Sequence, residues 1–362
     1  MPSRDTLWPI EPHTQAKHQI LLKYWQAWLP IMATWNGRLL YIDGFAGPGE
    51  YLRGELGSPI IALNAAIEHR ANINAEVMFL FIEADQQRAE HLQSLLGNKQ
   101  LPTNFRYHVY NSRFDEVVTE VLDYIDEQKR ALAPALVFVD PFGYSQTPFD
   151  VIKRLLSNPR CEVLITFMYQ FINRFVSDEG QWDHLDKLYG TSQWRAVLDS
   201  PSPSQRKSIL HGVYKRQLEE NAGVKYVLPF EMEDSGGRTE YFLFFCTNSL
   251  RGLSKMKEAM RVVDPTGNFS YSYAANPDQL RLFDVEPDFG QLRSDINGAF
   301  GGKTVAVEEI AEFVLVSTPF LETHFKRQVL TPMEKDGEIE VVQSTRKKQS
   351  GYPAKTLIRF LP

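Results

Sequence analysis

Residues 39–51 read Leu-Leu-Tyr-Ile-Asp-Gly-Phe-Ala-Gly-Pro-Gly-Glu-Tyr, and this stretch decides the fold class. Its apolar start is the pattern of a strand buried on both faces. An acid, Asp43, and closely spaced glycines follow at the strand's C-terminal end. In an open α/β sheet, ligands dock outside such strand ends. Gly44, Gly47 and Gly49 let the backbone pass close to a ligand without interference from a Cβ.

Outward from this strand the chain alternates. Ile20, Leu21, Tyr24, Trp25, Trp28 and Leu29 recur at spacings of three and four. Residues 15–36 are therefore expected as a helix with one buried face, broken near Pro30. Ser58-Pro59 reads as a helix start, with Ser at the N-cap and Pro in the first turn. Further strands are expected at 77–82, 105–110, 135–139 and 163–167, with helices between them. Two later strands, at 225–231 and 240–246, flank the turn-like Asp234-Ser235-Gly236-Gly237. The signature is α/β: a Rossmann-like, mostly parallel doubly wound sheet with an antiparallel addition. Residues 170–222 interrupt the alternation and are expected as a helical insertion.

This first domain is expected over residues 1–265. Residues 266–302, rich in Pro, Gly, Asp and Asn, look like a linker. Residues 303–362 change character. Two helices, 307–314 and 321–330, precede a hairpin-like stretch with strands at 339–342 and 356–360. That order resembles a winged helix-turn-helix. The segment holds nine Lys/Arg against eight Asp/Glu, and five of the positives lie within 346–359. Arg346, Lys347 and Lys348 at the wing are the expected nucleic-acid contacts.

The whole chain carries a formal net charge of −6, so it is no generic polyanion binder, and any nucleic-acid surface is a local patch. Two cysteines, Cys161 and Cys246, are too few for a disulfide framework or a metal cluster. The eight histidines show no ligand spacing, so no metal is expected. No leader and no membrane-spanning run is visible, and a soluble cytoplasmic protein is expected.

Which ligand suits the glycine turn follows from its surroundings. In a dinucleotide site the helix starts inside the glycine turn, so that the pyrophosphate meets the helix N-terminus. Here the helix start lies at Ser58, well after Gly49. Glu83, after the second strand, lies 40 residues beyond Asp43, against about 20 for the acid of a dinucleotide fingerprint. No lysine follows the glycines to seek a phosphate, and Asp43 would repel one. An acid there suits a ligand with a free amino group and a sulfonium charge, which is S-adenosyl-L-methionine. Asp43 would hold its amino group, and Gly44, Phe45, Gly47 and Gly49 would line the methionine end. Glu83 would accept the ribose hydroxyls. Asn111 and Phe114, after the third strand, are candidates for the adenine.

Asp140-Pro141-Phe142-Gly143-Tyr144 follows the fourth strand. It resembles the Asp-Pro-Pro-Tyr box of methyltransferases that act on amino groups of nucleic-acid bases. In that box the Asp side chain and the Pro carbonyl accept hydrogen bonds from the target amine. An aromatic ring stacks on a base taken out of the helix. Asp140 and Pro141 match, Phe142 and Gly143 depart, and the stacking ring is Phe142 or Tyr144.

Over residues 15–275 the chain resembles the three-Cys-motif partner proteins of bacteria and their mobile elements. The matching pieces are Lys17-His18 with Ile20, Leu21 and Tyr24, the run Tyr41–Gly49, the run Phe138–Gly143, and Tyr241–Thr247 with Gly252, Met256 and Met260. The resemblance implies a three-Cys-motif protein partner. The first motif is also similar to that of an adenine-N6 rRNA methyltransferase family with a Lys-His pair on its first helix, which implies that Lys17 and His18 face the cofactor. The expected function is S-adenosylmethionine-dependent methylation of a base in DNA or RNA at an exocyclic amine. The alternatives are a non-catalytic S-adenosylmethionine-binding subunit for the three-Cys partner, or a DNA-binding regulator.

Overall fold

The computed structural model describes all residues except 1–4, 201, 235, 265–268, 273–286, 347–350 and 362. It divides into two compact units. The first comprises Met1–Gly252 with Ser270–Pro277, the second Leu253–Phe269 with Asp278–Pro362.

The first unit begins with α1 (Pro12–Ala33) and continues β1 (Arg38–Asp43), α2 (Ser58–Ile67), β2 (Glu76–Ile82), α3 (Gln86–Gly97), β3 (Phe105–Tyr110), α4 (Phe114–Glu127), β4 (Ala135–Val139), α5 (Phe149–Leu156) and β5 (Cys161–Phe167). A helical stretch with α6 (Tyr169–Phe175), α7 (Trp182–Tyr189) and α8 (Pro203–Arg216) leads to β6 (Tyr226–Glu233) and β7 (Thr239–Thr247). Then comes α9 (Leu250–Met260), most of which belongs to the second unit, and the first unit closes with the short β8 (Ser270–Ser272). The sheet order is β3-β2-β1-β4-β5-β7-β6-β8. Strands β1 to β5 run parallel, and β7 inserts antiparallel to both β5 and β6. This is the Rossmann-like, doubly wound sheet with its antiparallel addition.

The central strands are covered on both faces, which is why they read as unbroken apolar runs: every residue of β4 and β5 is buried. Helix α1 buries Ile20, Leu21, Tyr24, Trp25, Trp28 and Leu29. It runs through Pro30 without the expected break, and the Gln26 carbonyl, which the proline leaves without its helical donor, has His69 Nε2 at 3.0 Å instead. A buried carboxylate ties α1 to the sheet: Glu162 on β5 accepts from Tyr24 Oη at 2.5 Å and from Thr247 Oγ1.

In the second unit, α10 (Phe289–Phe300), β9 (Thr304–Ala306) and α11 (Val307–Ser317) precede a continuous helical stretch. That stretch is α12 (Glu322–Phe325), a π-type turn over Lys326–Leu330, and α13 (Thr331–Lys335). The hairpin β10 (Ile339–Gln343) and β11 (Leu357–Phe360) pairs with β9 as a three-stranded sheet. Leu292, Ile296, Ile310, Val314, Phe325 and Ile358 form its core. The stretch expected as a linker, 266–302, thus contains α10, whose Leu292 and Ile296 are fully buried, and the strand β8. Polar composition hid two core positions one helical turn apart.

Candidate functional site

Strands β1, β2 and β4 are in register at their C-terminal ends, with Asp43 beside Phe81 and Phe138. The chain leaves β1 in a tight turn held by three backbone bonds: Gly44 N to Phe138 O, Ala46 N to Ile82 O, and Gly57 N to Gly49 O. Gly47 and Gly49 have φ of +62° and +88°, the left-handed region. A Cβ on Gly44 would lie 2.5 Å from Phe114 Cδ2. The turn therefore presses directly on the first residue of α4, and Phe45 lies against the Phe114 ring at 5.6 Å.

Asp43 is fully buried, and its Oδ2 has no hydrogen-bond partner. Burial pushes its pKa up to about 7; Ser58 and the Phe45 amide pull it down, and nearby Asp140 and Glu83 push it further up. Ser58, expected as the N-cap of α2, is its first residue, and Gly57 is the cap. Glu83, just past β2, accepts from Gly47 N at 2.9 Å and from Asp85 N at 2.8 Å, and burial raises its pKa.

Around this turn lie two adjoining lobes of about 590 and 700 Å3, which share Phe45, Pro141 and Phe142. The first is lined by Gly44, Glu83, Asp85, Arg88, Ser112 and Phe114, among others. The second holds Lys17, His18, Gly47, Gly49 and Asp140, together with Phe171, Arg174 and Tyr241 from the far side.

Lys17 is buried, and its Nζ donates to Asp140 Oδ1 at 2.6 Å while lying 5.0 Å from the centroid of the Tyr241 ring. His18 is buried with Nδ1 unpartnered, and burial holds its pKa down at about 4, so the ring is neutral. Phe142 is 43% exposed at the junction of the lobes. Tyr144 is buried in the core, where its hydroxyl donates to Gln181 Oε1 at 2.9 Å, and it lines neither lobe. Asn111 also lies off both lobes: its amide donates to the carbonyls of Glu83 and Ala84 and so ties the turn after β2. Ser112 stands at the cavity wall instead.

Three features lay outside the sequence reading. Trp8 packs edge-on against Tyr51 and Phe142, with the Arg88 guanidinium 4.6 Å above its ring. Glu11, His13 and Glu240 bring ligand-type atoms within 4.8 Å of one another; His13 bonds both carboxylates, at 2.9 and 3.2 Å. Phe171 and Arg174 come from α6, the start of the insertion. The first two have no spacing signal, since each joins segments far apart in the chain, and Phe171 and Arg174 are an ordinary pair three residues apart on one helix.

At the wing, Arg346 forms a bidentate pair with Glu334, at 2.7 and 2.8 Å, and Tyr352 Oη donates to the same carboxylate. The expected contact residue is thus already engaged. Lys347 and Lys348 lie outside the described residues. Among the described residues no helix is long and apolar enough to cross a membrane.

Residues 270–346 match the family described as the GMT-like wHTH domain, and the second unit carries this winged helix-turn-helix fold. No curated protein matches the chain. Among solved structures it is similar to Trm1 from Pyrococcus horikoshii in complex with S-adenosyl-L-methionine, at 14% identity and a TM-score of 0.39, over 72% of this chain and 61% of that one. Human methyltransferase-like protein 13 in complex with SAH is similar at 11% identity and a TM-score of 0.36, over 68% of this chain and 92% of that one. An O-methyltransferase from Bacillus cereus in complex with SAH follows at 16% and 0.34, over 66% and 82%. The chain thus spans less than two thirds of the first of these.

Proposed function

We propose that the first unit binds S-adenosyl-L-methionine and transfers its methyl group to an exocyclic amine of a nucleic-acid base. One observation carries the reading: Glu83 and Asp140 line the two lobes of one cavity, and Asp43, on the strand between theirs and fully buried behind the lining residues Gly44 and Phe45, has an oxygen with no partner. A buried, unsatisfied carboxyl oxygen is costly unless a ligand completes it. Of the glycines beside it, Gly47 has an open Cβ side, with Trp8 3.8 Å away, whereas Gly44 and Gly49 pack against Phe114 and Leu92.

Asp43 takes the ammonium of the cofactor, and Gly44, Phe45, Gly47 and Gly49 form the cradle, with Lys17 and His18 on its far wall. Glu83 keeps lone pairs for the ribose hydroxyls beyond those used by the amides of Gly47 and Asp85. Phe114 packs the adenine side. The bound cofactor supplies an electrophilic methyl on a sulfonium. Asp140 and the Pro141 carbonyl accept hydrogen bonds from the target amine and aim its lone pair, and Phe142, the exposed ring of the box, stacks on the base. Such chemistry rests on positioning more than on acid–base power.

A second reading is favoured by the Lys17–Asp140 ion pair together with the Phe142-Gly143 departure from the box. In it the unit holds the cofactor without turnover, as a subunit for a three-Cys-motif partner. Calorimetry with S-adenosylmethionine on the intact chain, Asp43→Ala and Glu83→Ala tests the shared step, and the absence of binding to the intact chain sinks both readings. Transfer of labelled methyl to DNA, tRNA or rRNA separates them.

A further inference from the structure

The lobe beside Asp140 is mostly acidic: Glu11, Glu50, Asp140 and Glu240 line it, against two cations, Lys17 and Arg174. Lys17 is committed to Asp140. Arg174, an exposed side chain, makes no hydrogen bond or ion pair among the described residues, whereas the lobe's lysine, aspartate and glutamates, Lys17, Asp140, Glu11, Glu50 and Glu240, are each paired. Its guanidinium lies 5.8 Å from the centroid of Phe171, and both residues face the lobe. A guanidinium resting on a ring is oriented while its N–H donors stay free to form a fork.

We propose that Arg174, backed by Phe171, clamps a phosphate flanking the target nucleotide. The inference rests on the nucleobase reading above and narrows its substrate to a nucleotide within a strand. A base seated at Asp140 and Phe142 brings its sugar and phosphates into the same lobe. There the acids repel a phosphate, and Arg174 is the one uncommitted cation among the described lining residues. A bidentate guanidinium–phosphate pair fits that position, holding the strand without reading its sequence.

The test uses the full chain saturated with S-adenosylhomocysteine and fluorescein-labelled single-stranded pentanucleotides with a central A or C, in deoxy and 2′-O-methyl form. Anisotropy compares normal strands with strands whose two central phosphates are neutral methylphosphonates. The intact chain is expected to bind the neutralised strand about tenfold more weakly, and Arg174→Gln to bind both at that weaker level. Equal affinity of the intact chain for both strands, no binding of any strand, or a gap that persists in Arg174→Gln overturns the clamp. Failure of S-adenosylhomocysteine itself to bind, read by calorimetry, overturns instead the cofactor reading beneath it.

Discussion

Two acids at neighbouring strand ends have opposite surroundings. Asp43, after β1, is fully buried with an oxygen left without a partner. Asp140, after β4, is 21% exposed and already holds the Lys17 ammonium at 2.6 Å. The first keeps an acceptor open, and the second already has its cation. The difference teaches that the two halves of the cavity are primed unequally. On the proposed function, the donor half needs only its ligand, while the acceptor half must exchange or share a partner before an amine can sit on the carboxylate.

The largest effect is expected at the paired acid. Asp140→Ala should lower methyl transfer by about a hundredfold or more, as loss of aim at the reacting centre does. It should leave cofactor affinity within about threefold. Labelled transfer beside calorimetry checks both, and unchanged transfer would remove Asp140 from the chemistry and leave the accessory reading.

At the acid with the open acceptor the sharper test is pH. Burial puts Asp43 at about 7 without ligand. Below that value it is protonated and offers no charge to an ammonium, so ionising it in the complex costs free energy. Affinity for S-adenosylmethionine should fall as pH drops from about 7 to 5.5, by at most about tenfold per unit. Asp43→Asn should flatten that slope and weaken binding at pH 7.5 by about ten- to a hundredfold. Stability without ligand runs the other way. From about pH 4 to 7 the folded carboxyl keeps a proton that the unfolded chain has released, so this site's contribution is lost as pH rises through 7. A flat binding profile from pH 5.5 to 7 in the intact chain would place the ammonium elsewhere.

A smaller effect is expected where the turn meets α4. Gly44→Ala drives a methyl into the Phe114 ring. It should cost about 1–3 kcal/mol of stability, read as a lower Tm, with weaker cofactor binding. Phe114→Leu in the same chain should recover part of the loss. A Gly44→Ala chain that melts like the parent would mean that the turn has slack, and that the donor half is less fixed than its bonds to Phe138 and Ile82 suggest.

What the sequence made legible here was local. The run into Asp43, its glycines and the alternation of strands and helices all follow from period and turn chemistry. The antiparallel β7 followed from two late strands around a turn. The partner of Lys17 was not legible, because 123 residues separate it from Asp140. Nor could Phe142 and Tyr144 be told apart: two rings in a loop share no period, and only packing sends one to the junction of the lobes and the other to Gln181. Asn111 read as an adenine contact by its place after β3, yet its amide serves two carbonyls of the preceding turn. Lone residues at strand ends carry too little pattern to separate a ligand contact from a turn contact.

The smallest effect extends the comparison to the second unit, where Arg346 is another cation already in use. Its bidentate bond to Glu334, shared with Tyr352, joins the hairpin to α13 and holds the Glu334 carboxyl below its usual range. Side chains this near the surface return less than about 1 kcal/mol from such a pair. Arg346→Ala should therefore lower Tm only slightly and change affinity for any duplex the chain binds by less than about twofold. The dependence of that affinity on salt should stay the same, since a residue that does not touch a phosphate releases no counterion. If affinity instead drops and the salt slope flattens by about one, the pair opens on binding and the wing arginine grips the backbone. Arg346 would then behave as Lys17 must for an amine to reach Asp140: a cation held by an internal acid until a substrate group replaces one of the two.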